Sequence, residues 1–376
     1  MDSVDSYVTQ LDQLDELISA LRRQPLVAVD TEAASFHRYR DRICLVQLSS
    51  ATHAAIVDPL ALEDLTPLGE LLADRGVEKV FHDADYDLRT LDRDYGFHGA
   101  ALFDTRIAAQ LAGEAAVGLA ALLQKYLDVT LTKEHQRADW SQRPLPEDML
   151  AYAAADTRHL PALRERLRDR LTEMGRLAWA EEEFGHLEEL RWTGNSDGAD
   201  AYLRLKGART LTGRQLAALR ELYRWREELA ARQDRATFRI VDNEVLLAVS
   251  RALPTTPAAL AETTGVPPAH VRRHGVELVT AVRRAMTLAE GELPRLERVR
   301  RPPRDPAFDA RVERLKAARN RMAGELGLDP GVLCGRPTLE AVARAVPNDR
   351  AGLAQLGELR RWQIEVLGDA LLAALG

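Results

Sequence analysis

Only two cysteines occur in 376 residues, Cys44 inside an apolar run and Cys334 far from it. That scarcity excludes a disulfide framework and a thiolate zinc site, and both are read as packing residues. No uninterrupted apolar run reaches the roughly 18 residues that a membrane span requires. The opening stretch, MDSVDSYVTQLDQLDELISALRR, is acidic where a secretory signal is basic. A cytoplasmic protein without membrane attachment is therefore expected. No heptad seam stands out, so a monomer with no obligate protein partner is expected. An apolar fraction of 46% beside 29% charged residues excludes extensive disorder, and the length provides for two or three domains. The chain also lacks an overall basic charge, its net value being −7. That sum hides a division: −16 over residues 1–200 and +9 over residues 201–376. Such asymmetry suits an acidic catalytic part beside a part that grips phosphates.

The first segment, Leu11, Leu14, Leu17, Ile18 and Leu21, has the spacing of a one-sided apolar helix covering a sheet. LVAVDTE, ICLVQLS and HAAIVD read as three strands of a meander, VEKVFHD as a fourth strand feeding a helix, and ALFDT as a last short one. A mixed sheet opened by a meander and continued by helix-linked strands is the layout of the α/β ribonuclease H-like fold. From Asp156 the pattern is helical to about Leu190, and TGNSDGAD then marks a linker. Beyond it two all-α segments, near 207–290 and 305–376, flank the Pro- and Arg-rich connector LPRLERVRRPPRDP. They repeat with an offset of 93: Leu222, Arg226, Leu246, Val249, Arg251, Ala252, Pro254 and Leu260 correspond to Leu315, Arg319, Leu339, Val342, Arg344, Ala345, Pro347 and Leu353. Three domains are expected, at 1–195, 205–292 and 305–376.

Four carboxylates in three segments carry the chemistry: Asp30 and Glu32 in VAVDTEA, Asp87 in FHDADYDL, and Asp156 in YAAADTRHL. Side chains alternate along a strand, so Asp30 and Glu32 point to one face. Two carboxylates there are an unfavourable pair unless a cation lies between them. Tyr152 and Asp156, at i and i+4, share one face of a helix. In HDADYDL the residues leave a choice. Asp83 suits the N-cap of a helix beginning near Ala84, while Asp87, followed by Leu88, is favoured as the ligand and Asp83 kept as a minor candidate. Hard oxygens without thiolates suit Mg²⁺ or Mn²⁺, and two such ions serve in-line displacement at a phosphodiester.

These motifs resemble the DEDD exonucleases, in the subgroup whose third motif is Tyr-x-x-x-Asp, and within it the ribonuclease D family. VDTE matches the first motif, His82 to Leu88 the second, YAAADTRHL the third, and DWSQRPL, Asp139 to Leu145, the lead-in to it. The all-α segments resemble HRDC domains, the second copy more diverged. The resemblance implies that Asp30, Glu32 and Asp156 bind one metal, that Asp30 bridges to a second held by Asp87, and that Tyr152 orients the attacking water. It implies nucleoside 5′-monophosphates released from RNA 3′ ends, tRNA precursors being the expected substrate. One departure is Ala33, where relatives carry an apolar Phe or Leu that wedges against the terminal base; Phe36 or another residue would take over.

In the second half Arg226, Arg272, Arg273 and Arg319 are candidate phosphate contacts, and Tyr223, Trp225 and Trp362 candidate stacking groups. Two other readings stand beside the exoribonuclease. One is a 3′–5′ DNA exonuclease in repair, since no residue advertises recognition of the 2′-OH. The other is a non-catalytic nucleic-acid-binding protein, for which at least one ligand would be missing.

Overall fold

The computed structural model describes residues 4–131, 134–194, 198, 200–295 and 305–376. The larger α/β part opens with β1 (Ser6–Val8) and α1 (Leu11–Leu21), followed by β2 (Leu26–Ala33), β3 (Ile43–Ser49), β4 (Ala54–Val57) and α2 (Thr66–Ala73). It continues with β5 (Glu78–Phe81), α3 (Asp85–Tyr95), β6 (Leu102–Asp104), α4 (Thr105–Leu111), α5 (Leu119–Leu127), α6 (Glu147–Arg158), α7 (Leu160–Glu173) and α8 (Leu177–Leu187). The strands form one sheet in the order β1-β4-β3-β2-β5-β6. β3 and β4 run antiparallel, with Val46 opposite Val57, while β2–β5, β5–β6 and β1–β4 are parallel. The expected meander and both later strands are present; β1, three residues long, was too short to leave a period in the sequence.

Alternation along β2 sorts the two layers. Val27 and Val29 join Leu14, Leu17, Ile18, Leu21, Leu88 and Leu91 on the side of α1 and α3. Ala28 joins Phe103, Leu122, Leu163 and Leu167 on the opposite side. Leu11, expected on the apolar stripe of α1, is 46% exposed, because it sits at the helix start, beyond the sheet that buries its neighbours.

The all-α part comprises α9 (Gly213–Gln233), α10 (Asn243–Ala252), α11 (Pro257–Ala261) and α12 (Pro268–Thr287), then α13 (Pro306–Leu326), α14 (Pro330–Leu333), α15 (Arg336–Ala345), α16 (Arg350–Gln355) and α17 (Arg361–Leu375). α13, α15, α16 and α17 each start 93 residues after α9, α10, α11 and α12, so the repeat offset is also the structural offset. Even the left-handed residues closing α10 and α15, Leu253 and Val346, correspond. Part of the TGNSDGAD linker and most of the Arg-rich connector lie outside the described residues.

The chain forms two compact units, one of residues 1–32, 43–192 and 302–376, the other of 33–42 and 193–301. The second helical module shares the first unit because its Leu315, Val342, Trp362 and Leu367 continue the core built by Leu111, Leu163 and Phe184. Residues 33–42, which follow the carboxylate strand, group with the first helical module.

Candidate active site

The end of β2 lies between two helices. On one face α6 packs against β3, where Ser49 Oγ and Thr157 Oγ1 are 2.7 Å apart in the interior. That seam fixes the rotation of α6 and presents Asp156, one residue earlier, toward β2. Carboxylate oxygens of Asp30, Glu32 and Asp156 lie within 4.8 Å of one another. On the other face Thr31, pointing opposite to its neighbours, donates from Oγ1 to Oδ1 of buried Asp87 on α3 at 2.5 Å.

Burial raises every acid in this group, and repulsion from neighbouring carboxylates of the group adds to it at Asp30 and Glu32. Asp30 is held well above the usual carboxylate range by burial first, then by Asp87, Glu32 and Asp156. Glu32 is raised by burial, then by Asp156 and Asp87. Burial pushes Asp87 and Asp156 up to about 7. Such carboxyls bind protons more tightly folded than unfolded, so without metal the fold loses stability as pH rises from the unfolded values near 4 through the folded ones. The melting temperature of metal-free protein is expected to fall by several degrees between about pH 5 and pH 8 and to recover with a divalent ion, most at the upper end. A pH-independent melt in the presence of chelator would contradict this.

Asp83 takes a different role from the one expected. It is left-handed, with φ 71°, and its exposed carboxylate pairs with Arg106 at 2.7 Å. It is neither the N-cap of α3, which is Ala84, nor a member of the cluster. The group that holds this helix start is Asp104, at the end of β6. Its buried carboxylate accepts from Ala84 N at 2.7 Å and from Arg106 N and Ile107 N at 2.8 and 3.0 Å, capping α4 at the same time. An Asp-Thr pair between a short strand and a helical period was the available signal.

The lead-in segment DWSQRPL is tied down by Arg143. It grips buried Asp58 through two bonds of 2.6 and 2.7 Å and donates to the Cys44 and Trp140 carbonyls at 2.9 and 2.8 Å. Trp140 is buried, and its ring centroid lies 6.1 Å from that of Tyr152; His135 meets the same ring edge-on at 5.7 Å. Burial, then Asp156, Glu32 and Asp30, push the Tyr152 phenol well above its ordinary value.

Candidate residues of the helical modules divide. Arg226 is buried, donates to Val241 O at 3.2 Å and Asn243 Oδ1 at 2.7 Å, and covers the Tyr223 ring. Arg319, its counterpart, donates to Cys334 O at 2.9 Å, and Cys334 is 93 residues after Val241. The paired arginines therefore donate across the same internal joint in both copies; burial takes Arg226 out of reach of a phosphate, whereas Arg319 is half-buried. Arg226→Ala is expected to destabilise the protein by about 2 kcal/mol in urea titrations without lowering the salt slope of RNA binding. Arg272 and Arg273 are exposed on α12. Trp225 is half-buried against His274, and Trp362 is buried against Trp179 with centroids 5.0 Å apart; Trp362 is core and not a stacking surface.

A ribonuclease H-like sheet with three carboxylates converging at one strand end, a fourth bonded behind them and two repeated helical modules defines a DEDD-type 3′–5′ exonuclease with HRDC domains. A 3′-5′ exonuclease family matches residues 6–172, and the HRDC domain matches 215–282 and 308–375. Ribonuclease D of Granulibacter bethesdensis is 34% identical over 98% of this chain and 92% of its own. Ribonuclease D of Pseudomonas paraeruginosa is 34% identical over 94% and 93%. The crystal structure of Escherichia coli RNase D superimposes with a TM-score of 0.71 at 28% identity, covering 100% of this chain and 99% of that one. The chain belongs to the ribonuclease D family of 3′–5′ exoribonucleases. That fold implies use of divalent metal, and its HRDC domains and relatives imply RNA binding. Among the described residues no helix is long and apolar enough to cross a membrane.

Proposed function

We propose that this protein is a monomeric cytoplasmic exoribonuclease that uses two divalent cations, Mg²⁺ or Mn²⁺, to trim structured RNAs, tRNA precursors in particular, from their 3′ ends. The observation that carries the metal reading is the convergence of Asp30, Glu32 and Asp156 oxygens within 4.8 Å. Like charges in a buried site repel by several kcal/mol unless neutralised, and all-oxygen donors suit hard cations. Asp30, Glu32 and Asp156 would hold one ion, with Asp30 shared toward a second held through Asp87. Bound there, such ions would supply Lewis acidity to the attacking water and the leaving 3′ oxygen.

The protein's own groups do the rest. Thr31 fixes Asp87, and the Ser49–Thr157 seam fixes Asp156. Tyr152, its phenol raised, stays protonated at neutral pH and acts as a hydrogen-bond donor that orients water or phosphate, not as the base. Tyr152→Phe is accordingly expected to lower kcat about a hundredfold while RNA affinity in chelator is unchanged; an equal rise in Kd would contradict an orienting role.

Support for structured RNA comes from the Escherichia coli relative, an exoribonuclease involved in structured RNA processing. The test is a 3′-extended tRNA and a DNA of matched length, each labelled at the 5′ end, with Mg²⁺ or Mn²⁺. Shortening of the RNA trailer to the edge of the folded acceptor stem is expected, with the DNA spared. Faster digestion of the DNA would overturn the RNA assignment.

A further inference from the structure

The loop that leaves the carboxylate strand does not end in solvent. Phe36, four residues after Glu32 in the chain, sets its ring 5.1 Å from that of Phe238, just after α9. The Arg239 guanidinium lies 5.2 Å over Phe36 and 6.0 Å over Phe238, and its Nε donates to Phe36 O at 2.9 Å. His37 O accepts from Ala236 N at 3.1 Å, and Arg40 N donates to Asp234 Oδ1 at 3.3 Å. Contacts between four residue pairs thus hold this loop against the α9–α10 connector within one compact unit. Yet both phenylalanines remain open, Phe36 at 40% and Phe238 at 47% exposure. Two large apolar rings held rigidly in water, beneath a cation, are costly unless something covers them.

Arg239 also lines a cavity of about 360 Å³ with Arg235, Arg273, His274 and Glu277. Three guanidiniums against one carboxylate leave that cavity cationic in a chain that is acidic overall. An aromatic face beside a cationic recess is what a single-stranded nucleic acid presents the complement of, a base plane next to its phosphate.

We infer that Phe36, Phe238 and Arg239 form a stacking platform for a base of the single-stranded RNA leading to the 3′ end, with the adjoining phosphate in the recess of Arg235, Arg239 and Arg273. This deepens the exoribonuclease reading and rests on it for the identity of the strand. The chain lacks a large apolar side chain at Ala33, next to the metal ligands, and the platform gives the loop another means of gripping bases. Stacking is indifferent to sequence, because every base offers a π-face, and it positions the strand without touching the reacting atoms.

The experiment measures binding of a 5′-fluorescein 12-nucleotide RNA to the full chain in chelator, by anisotropy, so that binding is read apart from hydrolysis. Phe36→Ala with Phe238→Ala is expected to weaken binding about tenfold. The double change to Tyr is expected to bind like wild type, and Arg239→Ala to reduce the salt slope by about one. 2-Aminopurine walked through the last six positions is expected to be quenched at one or two of them by wild type and not by the double Ala protein. Thermal melts check that the variants fold; both rings are exposed, so little stability is at stake. Equal affinity of wild type and the double Ala protein, or quenching unchanged between them, would overturn the platform. A wild type that binds RNA but forms no 3′-shortened ladder with Mg²⁺ or Mn²⁺ would instead overturn the exoribonuclease reading, leaving the platform to be judged by the binding result.

Discussion

Asp30→Asn is expected to lower kcat about a thousandfold or more, equivalent to roughly 4 kcal/mol of transition-state stabilisation at tenfold per 1.36 kcal/mol. It is also expected to raise the melting temperature of metal-free protein by a few degrees near pH 8. The two effects have one origin. Asp30 is raised by burial and by three neighbouring carboxylates, so its charge costs stability until cations offset it. The amide keeps the shape and removes the charge. Activity assays and melts in chelator read the pair. A variant that lost activity and also melted lower at pH 8 would show that Asp30 serves the fold and not the ions.

Trp362→Ala is expected to destabilise the protein by about 3–5 kcal/mol, the cost of emptying a large buried aromatic site. Trp362 stacks on Trp179 at an interplanar angle of 16°, and its Nε1 donates to Glu183 Oε1 at 2.8 Å. At the same place Glu182 accepts from Arg361 N and Trp362 N at 2.7 and 3.1 Å, so a carboxylate of α8 caps the start of α17. Arg176 adds bonds to the Leu111 and Leu326 carbonyls at 2.9 and 2.6 Å. Removing the indole empties the stack and strands Glu183 in a partly buried position. A urea titration gives the loss. Unchanged stability with weakened RNA binding would return Trp362 to the role of a base-stacking group.

What could be read from residues alone followed from periodicity. Asp30 and Glu32 two apart on a strand, and Tyr152 and Asp156 four apart on a helix, had to share faces, and the structure places each pair so. The repeat offset of 93 survived as the spacing of helix starts because both copies build one packing pattern. Where a residue's task depends on a partner far along the chain, local pattern failed. The start of α3 is held by Asp104, 20 residues on, so the local rule for an N-cap chose Asp83 wrongly. Arg226 looks in sequence like any surface arginine of a basic helix; its burial follows from where α10 crosses α9, which no local signal fixes. Phe36 and Phe238, about 200 residues apart, carry no joint signature at all, and β1 at three residues is below the length at which alternation can be seen.

The most direct test of the account uses a 5′-labelled single-stranded RNA with Mg²⁺ or Mn²⁺, with nucleotide products resolved by chromatography. The account expects a ladder receding one nucleotide at a time from the 3′ end, with 5′-monophosphates as products, abolished by chelator and by Asp30→Asn. Internal cuts, or a ladder that persists in chelator or in the Asn variant, would contradict the assignment of this carboxylate cluster as the metal-bearing exonuclease centre.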